Sequence, residues 1–195
     1  MDKMDKIDIQ QQALIFTKAR NNLLAVIAFT AINLILTAFD SGVSFLFSAT
    51  LPQFVLEIGQ VLDSEMERSF FTIVGLVFAC IIIITYFVFW ILAKRIRVFI
   101  LVALIFFGID TLALLYVISN MEFNFSLLLQ IAFHGWVLYY LVNGVKAWSK
   151  TRDVSTDVFN VIMQEIKSNN KGPTGLAVPD EPDRKIPDGN DSADK

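Results

Sequence analysis

An acid and an imidazole stand inside stretches of sequence that water would reject: Asp110 in the run from Val98 to Ile118, and His134 in the run from Phe125 to Val145. An ionisable side chain in hydrocarbon is costly unless it is paired, neutralised or hydrated. The connection between the two runs centres near Met121 and Glu122, so Asp110 and His134 each lie about twelve residues from it and, on antiparallel helices, at similar depth. Carboxylate and imidazole at membrane depth are the usual materials of a proton relay. Gln130 is one helical turn from His134 on the same face, and Asn33 in the first apolar run reaches a comparable level. Two readings compete for Asp110, His134, Gln130 and Asn33. They are interhelical hydrogen bonds that hold a bundle together, worth on the order of 1 kcal/mol each, or Asp110 and His134 form a proton-linked site. One acid and one histidine make no continuous path across a bilayer, which favours the first reading.

Other chemistries find less support. His134 is the single histidine, and Cys80, the single cysteine, lies on a different apolar run, so no set of metal ligands is spaced for binding and no intrachain disulfide can form. No serine has the surroundings of an activated nucleophile, and no glycine-rich loop would cradle a phosphate. Gly75, Gly108, Gly135 and Gly144 are isolated small residues in apolar helices, suited to close helix packing. The formal net charge of -3, with no dense basic patch interleaved with aromatics, excludes a nucleic-acid partner. No enzyme, metal or cofactor is therefore expected.

The elements that would position these groups are membrane spans. Of 195 residues 55% are hydrophobic and 13% aromatic, with a mean hydropathy of +0.58, and the apolar residues gather in long runs nearly free of charge. Lipid is the solvent such runs require. Four spans are expected, at about 22–39, 70–92, 98–118 and 125–145, within a transmembrane domain covering 22–150. The first is short for a crossing and exceeds the apolar core of a signal peptide. Tyr86 and Trp90 fall near the end of the second span, where an aromatic belt would place them. Fifteen of the sixteen Lys and Arg residues fall on one side of this map, with only Arg68 on the other. By the positive-inside rule both termini are cytoplasmic.

The outer segment between the first two spans carries a further helix at about 51–63. Thr50 and Gln53 make a capping-box pattern, and Pro52 is tolerated in a first turn. This helix is too short to span and is interfacial or re-entrant. On the cytoplasmic side, residues 1–21 suggest a short helix on the membrane surface. Residues 151–170 carry an apolar stripe at Val154, Val158, Val161, Ile162 and Ile166, read as an amphipathic continuation of span four or as a docking helix for a partner. The stretch 171–195 is rich in Pro, Gly, Asp and Asn and cannot bury enough surface to order itself, so a disordered tail is expected.

The stretch Ala19-Arg20-Asn21-Asn22-Leu23-Leu24, continuing through Phe29-Thr30-Ala31-Ile32-Asn33-Leu34-Ile35-Leu36 and then Phe45-Leu46-Phe47-Ser48-Ala49-Thr50-Leu51-Pro52, resembles a group of small bacterial four-helix membrane proteins of unknown function. The resemblance covers about a quarter of the chain and implies a bacterial inner or plasma membrane, with no activity attached. The expected protein is thus an all-α antiparallel bundle of four transmembrane helices with a short extracytoplasmic interfacial helix. Its expected role is that of a non-enzymatic accessory or interaction subunit, in contact with the lipid bilayer and with a membrane-protein partner or a second copy. The alternative is a small proton-coupled or ion-permeable transporter using Asp110 and His134.

Overall fold

The computed structural model describes residues 3–39, 47–66, 70–120 and 125–170. Its regular structure there is all helical: α1 (Lys3–Ala38), α2 (Thr50–Met66), α3 (Phe70–Arg95), α4 (Phe99–Ser119), α5 (Phe125–Lys150) and α6 (Thr156–Asn170). Four of these, α1, α3, α4 and α5, are long and apolar enough to cross a membrane. In hydrocarbon every backbone N–H and C=O must find its partner inside the segment, and a continuous helix is the form that achieves this without an edge. Large apolar side chains cover the outside, among them Ile73, Val77, Ile81 and Ile84 on α3 and Ile105, Ile109 and Leu112 on α4. In water such a surface would drive association, and in lipid it is solvated. The chain is an all-α, multi-pass membrane protein.

The first helix departs from expectation in length. Residues expected to lie on the surface before the first span instead continue α1 as one rod of 36 residues, about 54 Å at 1.5 Å per residue. The reason is a stripe of buried residues that never breaks: Ala13, Phe16, Ala19, Leu23, Val26, Thr30 and Asn33 recur every three or four positions along one face. No glycine or proline interrupts the chain before Gly42. The N-terminal third of that stripe packs on α6, where Phe16 meets Phe159 edge to face at 5.9 Å. Further along, Ala19 closes on α5 so tightly that a Cβ at Gly144 would stand 2.5 Å from the Ala19 methyl carbon.

The sixth helix is not a continuation of α5. After Lys150 the chain turns, and Arg97 between α3 and α4 holds the turn by donating to the carbonyls of Thr151 and Val154 and to the Thr151 hydroxyl. The same guanidinium lies 4.6 Å over the Phe159 ring, and burial pushes it below its ordinary value. The face that α6 buries also differs from the expected stripe. Phe159 and Ile162 are buried, with Met163 and Ile166 beside them, whereas Val158 and Val161 remain exposed. Much of the apolar face that suggested a docking helix is spent on the chain's own α1. The expected disordered tail, 171–195, and the turn at Met121 and Glu122 lie outside the described residues.

The second helix runs from Thr50 to Met66, longer than the expected 51–63 at both ends. It packs antiparallel against α3 with backbone on backbone, because a glycine from each helix faces a carbonyl of the other. A Cβ at Gly59 would lie 2.5 Å from the Phe71 carbonyl oxygen, and one at Gly75 would lie 2.8 Å from that of Val55. Small residues that admit such approach are the usual means by which helices associate where lipid removes the hydrophobic drive. Of the glycines read as packing residues, Gly75 and Gly144 serve that purpose, while Gly108 and Gly135 face open space.

Candidate functional site

The polar cluster forms around the start of α2. A helix leaves its first four amides without intrahelical acceptors, and here those positions are Ala49, Thr50, Leu51 and Pro52. The Ala49 N–H donates to Thr30 Oγ1 on α1 at 2.9 Å. The Thr50 and Leu51 amides donate to the two carboxylate oxygens of Asp110 on α4, at 2.9 Å and 2.7 Å. Pro52 has no N–H to satisfy. Every orphan donor of the helix start is thus matched or absent, and the matching groups come from two other helices.

Asp110 has a further partner in His134 on α5. Nε2 of His134 stands 3.1 Å from the same carboxylate oxygen that accepts the Thr50 amide, and the Thr50 hydroxyl is at 3.5 Å. Nδ1 of His134 lies 2.9 Å from the backbone carbonyl of Gln130. A carbonyl can only accept, so the network assigns a proton to Nδ1. A proton between Nε2 and Asp110 makes that contact a hydrogen bond and leaves the pair with no net charge, the form a membrane interior tolerates. Phe107 stacks on the His134 ring at 5.1 Å, and Asp110 and His134 are 0% and 1% exposed.

Asn33 joins the cluster from α1. Its side-chain amide donates to Ser48 Oγ at 3.0 Å and to Gln53 Oε1 at 2.6 Å. The four residues singled out by sequence therefore gather around the start of α2, Gln130 through its backbone carbonyl. Sequence reasoning missed Thr30, Ser48 and Gln53 as partners. The expected capping box is not what closes the helix: Gln53 turns to Asn33 and Glu57, and the cap comes from Asp110 some sixty positions away. The first turn of α2 therefore lies beside Asp110, about midway along α4.

From the cluster a string of polar side chains leads away through Asn33 and Gln53 to the exposed Glu57, with Gln53 Nε2 2.7 Å from Glu57 Oε1. In the opposite direction the core is apolar, built of Ile100, Ala103, Phe107, Val137 and Leu141, all buried. Tyr86, expected in an aromatic belt, is buried in this core against Phe106 and Phe107. Cys80 is exposed on α3, and no three His, Cys, Asp or Glu side chains converge among the described residues.

A second acidic cap closes the other end of the hairpin. Asp63, near the end of α2, accepts from the amides of Phe71 and Thr72 at 2.8 Å and 2.7 Å, capping the start of α3. Desolvation raises the Asp63 carboxyl, but the hydrogen bonds from Thr72 and Phe71 outweigh it and hold it below its ordinary value of 3.8. A carboxyl depressed in the folded state stabilises above its ordinary value and loses that contribution as pH falls through the lowered one. Protection of the Phe71 and Thr72 amides, their exchange relative to that of an unstructured chain at the same pH, is accordingly expected to be high at neutral pH and to fall below about pH 4. In Asp63→Asn it should be lower throughout, with the acid-dependent step gone.

Compared with protein-family profiles, with curated proteins and with solved structures, the chain matches none.

Proposed function

We propose that this multi-pass membrane protein is a non-enzymatic accessory or interaction subunit of a bacterial cell membrane, with both termini in the cytoplasm and with a membrane-protein partner or a second copy of itself at its lipid-facing surface. One observation carries the reading: both oxygens of the intramembrane acid are occupied by the first amides of α2. An acid so engaged is a structural cap, and releasing it for proton transfer would strip the helix start of its acceptors. The polar string from Glu57 favours the transporter alternative as far as Asn33. Its links, Gln53 and Asn33, are amides, which carry no titrating proton, and on the far side of the cluster lies the apolar core around Phe107 and Leu141. Orientation rests on the distribution of Lys and Arg, and the bacterial membrane rests on the resemblance of the first span and outer segment.

The test compares stability with permeability. Asp110→Asn in reconstituted vesicles should lower the unfolding midpoint in detergent and leave proton flux at the level of the native protein. Loss of flux with unchanged stability would contradict the subunit reading and establish the relay. Reporter fusions at the two ends should be active only on the cytoplasmic side, and activity of either fusion outside would overturn the orientation.

A further inference from the structure

At the end of the bundle where α3 meets α6 there is a cavity of about 430 Å³ lined by Lys94, Arg95, Thr156, Asn160, Met163 and Gln164. Lys94 and Arg95 are exposed and have no acidic partner among the described residues. Two positive charges with amide donors opposite them form a site for a phosphate group. On the side toward the membrane interior the donors continue. Trp90 is one helical turn before Lys94 on α3, and Arg20 of α1 lies 5.4 Å over its ring. Met163 of the cavity wall meets Thr17 of α1, one turn before Arg20. Arg20 Nε and Trp90 Nε1 are both enclosed and both lack an acceptor among the described residues. Enclosed N–H groups without acceptors are rare in folded proteins, and two on neighbouring helices are suited to an acceptor supplied by a bound molecule.

The helix face above Lys94 shows what kind of molecule supplies it. Ile91, Phe87 and Ile84 follow Lys94 at steps of three and four residues, so they stand in line on one face of α3, and all three are exposed. A ligand with phosphate at Lys94 and Arg95, acceptor oxygens one turn deeper at Arg20 and Trp90, and an apolar chain along Phe87 and Ile84 is a glycerophospholipid. We propose that this end of the bundle is a binding site for one anionic phospholipid, its headgroup phosphate in the α3–α6 cavity and its ester oxygens on Arg20 and Trp90. A zwitterionic headgroup brings its own cation against Lys94 and Arg95 and is disfavoured. The site stands whichever face of the membrane this end occupies, so its failure would leave the proposed orientation and role untouched.

The full chain, purified in neutral detergent, is titrated with phosphatidylglycerol, with phosphatidylcholine and with inorganic phosphate while bound species are counted by native mass spectrometry. Phosphatidylglycerol should bind one molecule tightly, phosphatidylcholine more weakly, and inorganic phosphate should not displace it at equal concentration. At about 1 kcal/mol for each basic residue near a membrane surface, Lys94→Gln with Arg95→Gln should weaken phosphatidylglycerol about 30-fold and leave phosphatidylcholine unchanged. Should that variant not fold, the salt dependence of the native protein decides: affinity for phosphatidylglycerol must fall as ionic strength rises. Equal binding of the two lipids, an unaffected variant or salt-insensitive binding overturns the proposal. Equal occupancy by inorganic phosphate would make the cavity a free-anion site and overturn it as well.

Discussion

Replacing Asp110 by alanine is expected to reduce the unfolding free energy by about 3 kcal/mol, measured as a shift of the denaturation midpoint in detergent. Three groups lose their acceptor at once: the Thr50 amide, the Leu51 amide and the Nε2 side of His134. A buried donor left alone costs roughly 1–3 kcal/mol, and the unfolded chain in a membrane mimetic recovers part of this by finding other partners, which sets the estimate near the low end of the sum. Asparagine offers one oxygen and therefore one amide acceptor, so Asp110→Asn should fall between the native protein and alanine. His134→Ala removes one contact with Asp110 and the stacking on Phe107 but leaves both cap bonds in place, and should cost less than either. This order separates a cap from an ion pair, since a simple Asp–His pair would be hurt equally from both ends.

The second large effect lies on the α2–α3 seam. Gly59→Val and Gly75→Val each place a side chain against a carbonyl of the facing helix, at positions where even a bare Cβ would stand 2.5 Å or 2.8 Å from oxygen. Backbone cannot swing away as a flexible side chain does, so the helices must separate, at a cost of about 1–3 kcal/mol for each variant. The two costs should not add. Once the first substitution has spread the seam, the second finds space already made, and the double variant should be only slightly less stable than the worse single one. Unfolding of the three variants by denaturant measures this directly, and strict additivity would show that the glycines sit in independent contacts. Gly108→Val and Gly135→Val, which meet open space, serve as controls and should be near neutral apart from helix propensity.

The spans were legible because their signal is coarse. A run of some twenty apolar residues between charges has one common structural outcome in lipid, and the observed α3, α4 and α5 begin within a residue of the expected starts. Span ends were less visible, since Lys94, Arg95, Lys146 and Lys150 continue their helices past the point where the apolar run stops. The length of α1 was readable in principle. The buried stripe from Ala13 to Asn33 keeps its spacing through the polar stretch around Lys18 and Arg20, but composition weighs those charges and hides the face they leave free.

The site was legible only in part, for a different reason. Counting residues from a shared turn gives depth, and depth brought Asp110 and His134 together. It could not give the third partner, because α2 approaches the pair from a connection whose path no periodicity encodes. Thr50 and Gln53 do carry the residue types of a capping box, and locally that reading is sound. It lost to a carboxylate from α4, which can serve two amides at once where a hydroxyl serves one. The amphipathic stripe of α6 was misjudged by a similar local choice: Val158 and Val161 match the helical period, yet the bulkier Phe159 filled the space against Phe16 and set the face.

Hydrogen exchange of the Thr50 and Leu51 amides in lipid bilayers bears most directly on all of this. With an acid from a neighbouring helix holding the α2 start inside the bundle, those two amides should be protected in the native protein. They should lose that protection in Asp110→Ala, while the amides of α4 on either side of the substitution stay closed. Rapid exchange in the native protein, or protection that survives removal of the carboxylate, would contradict the account.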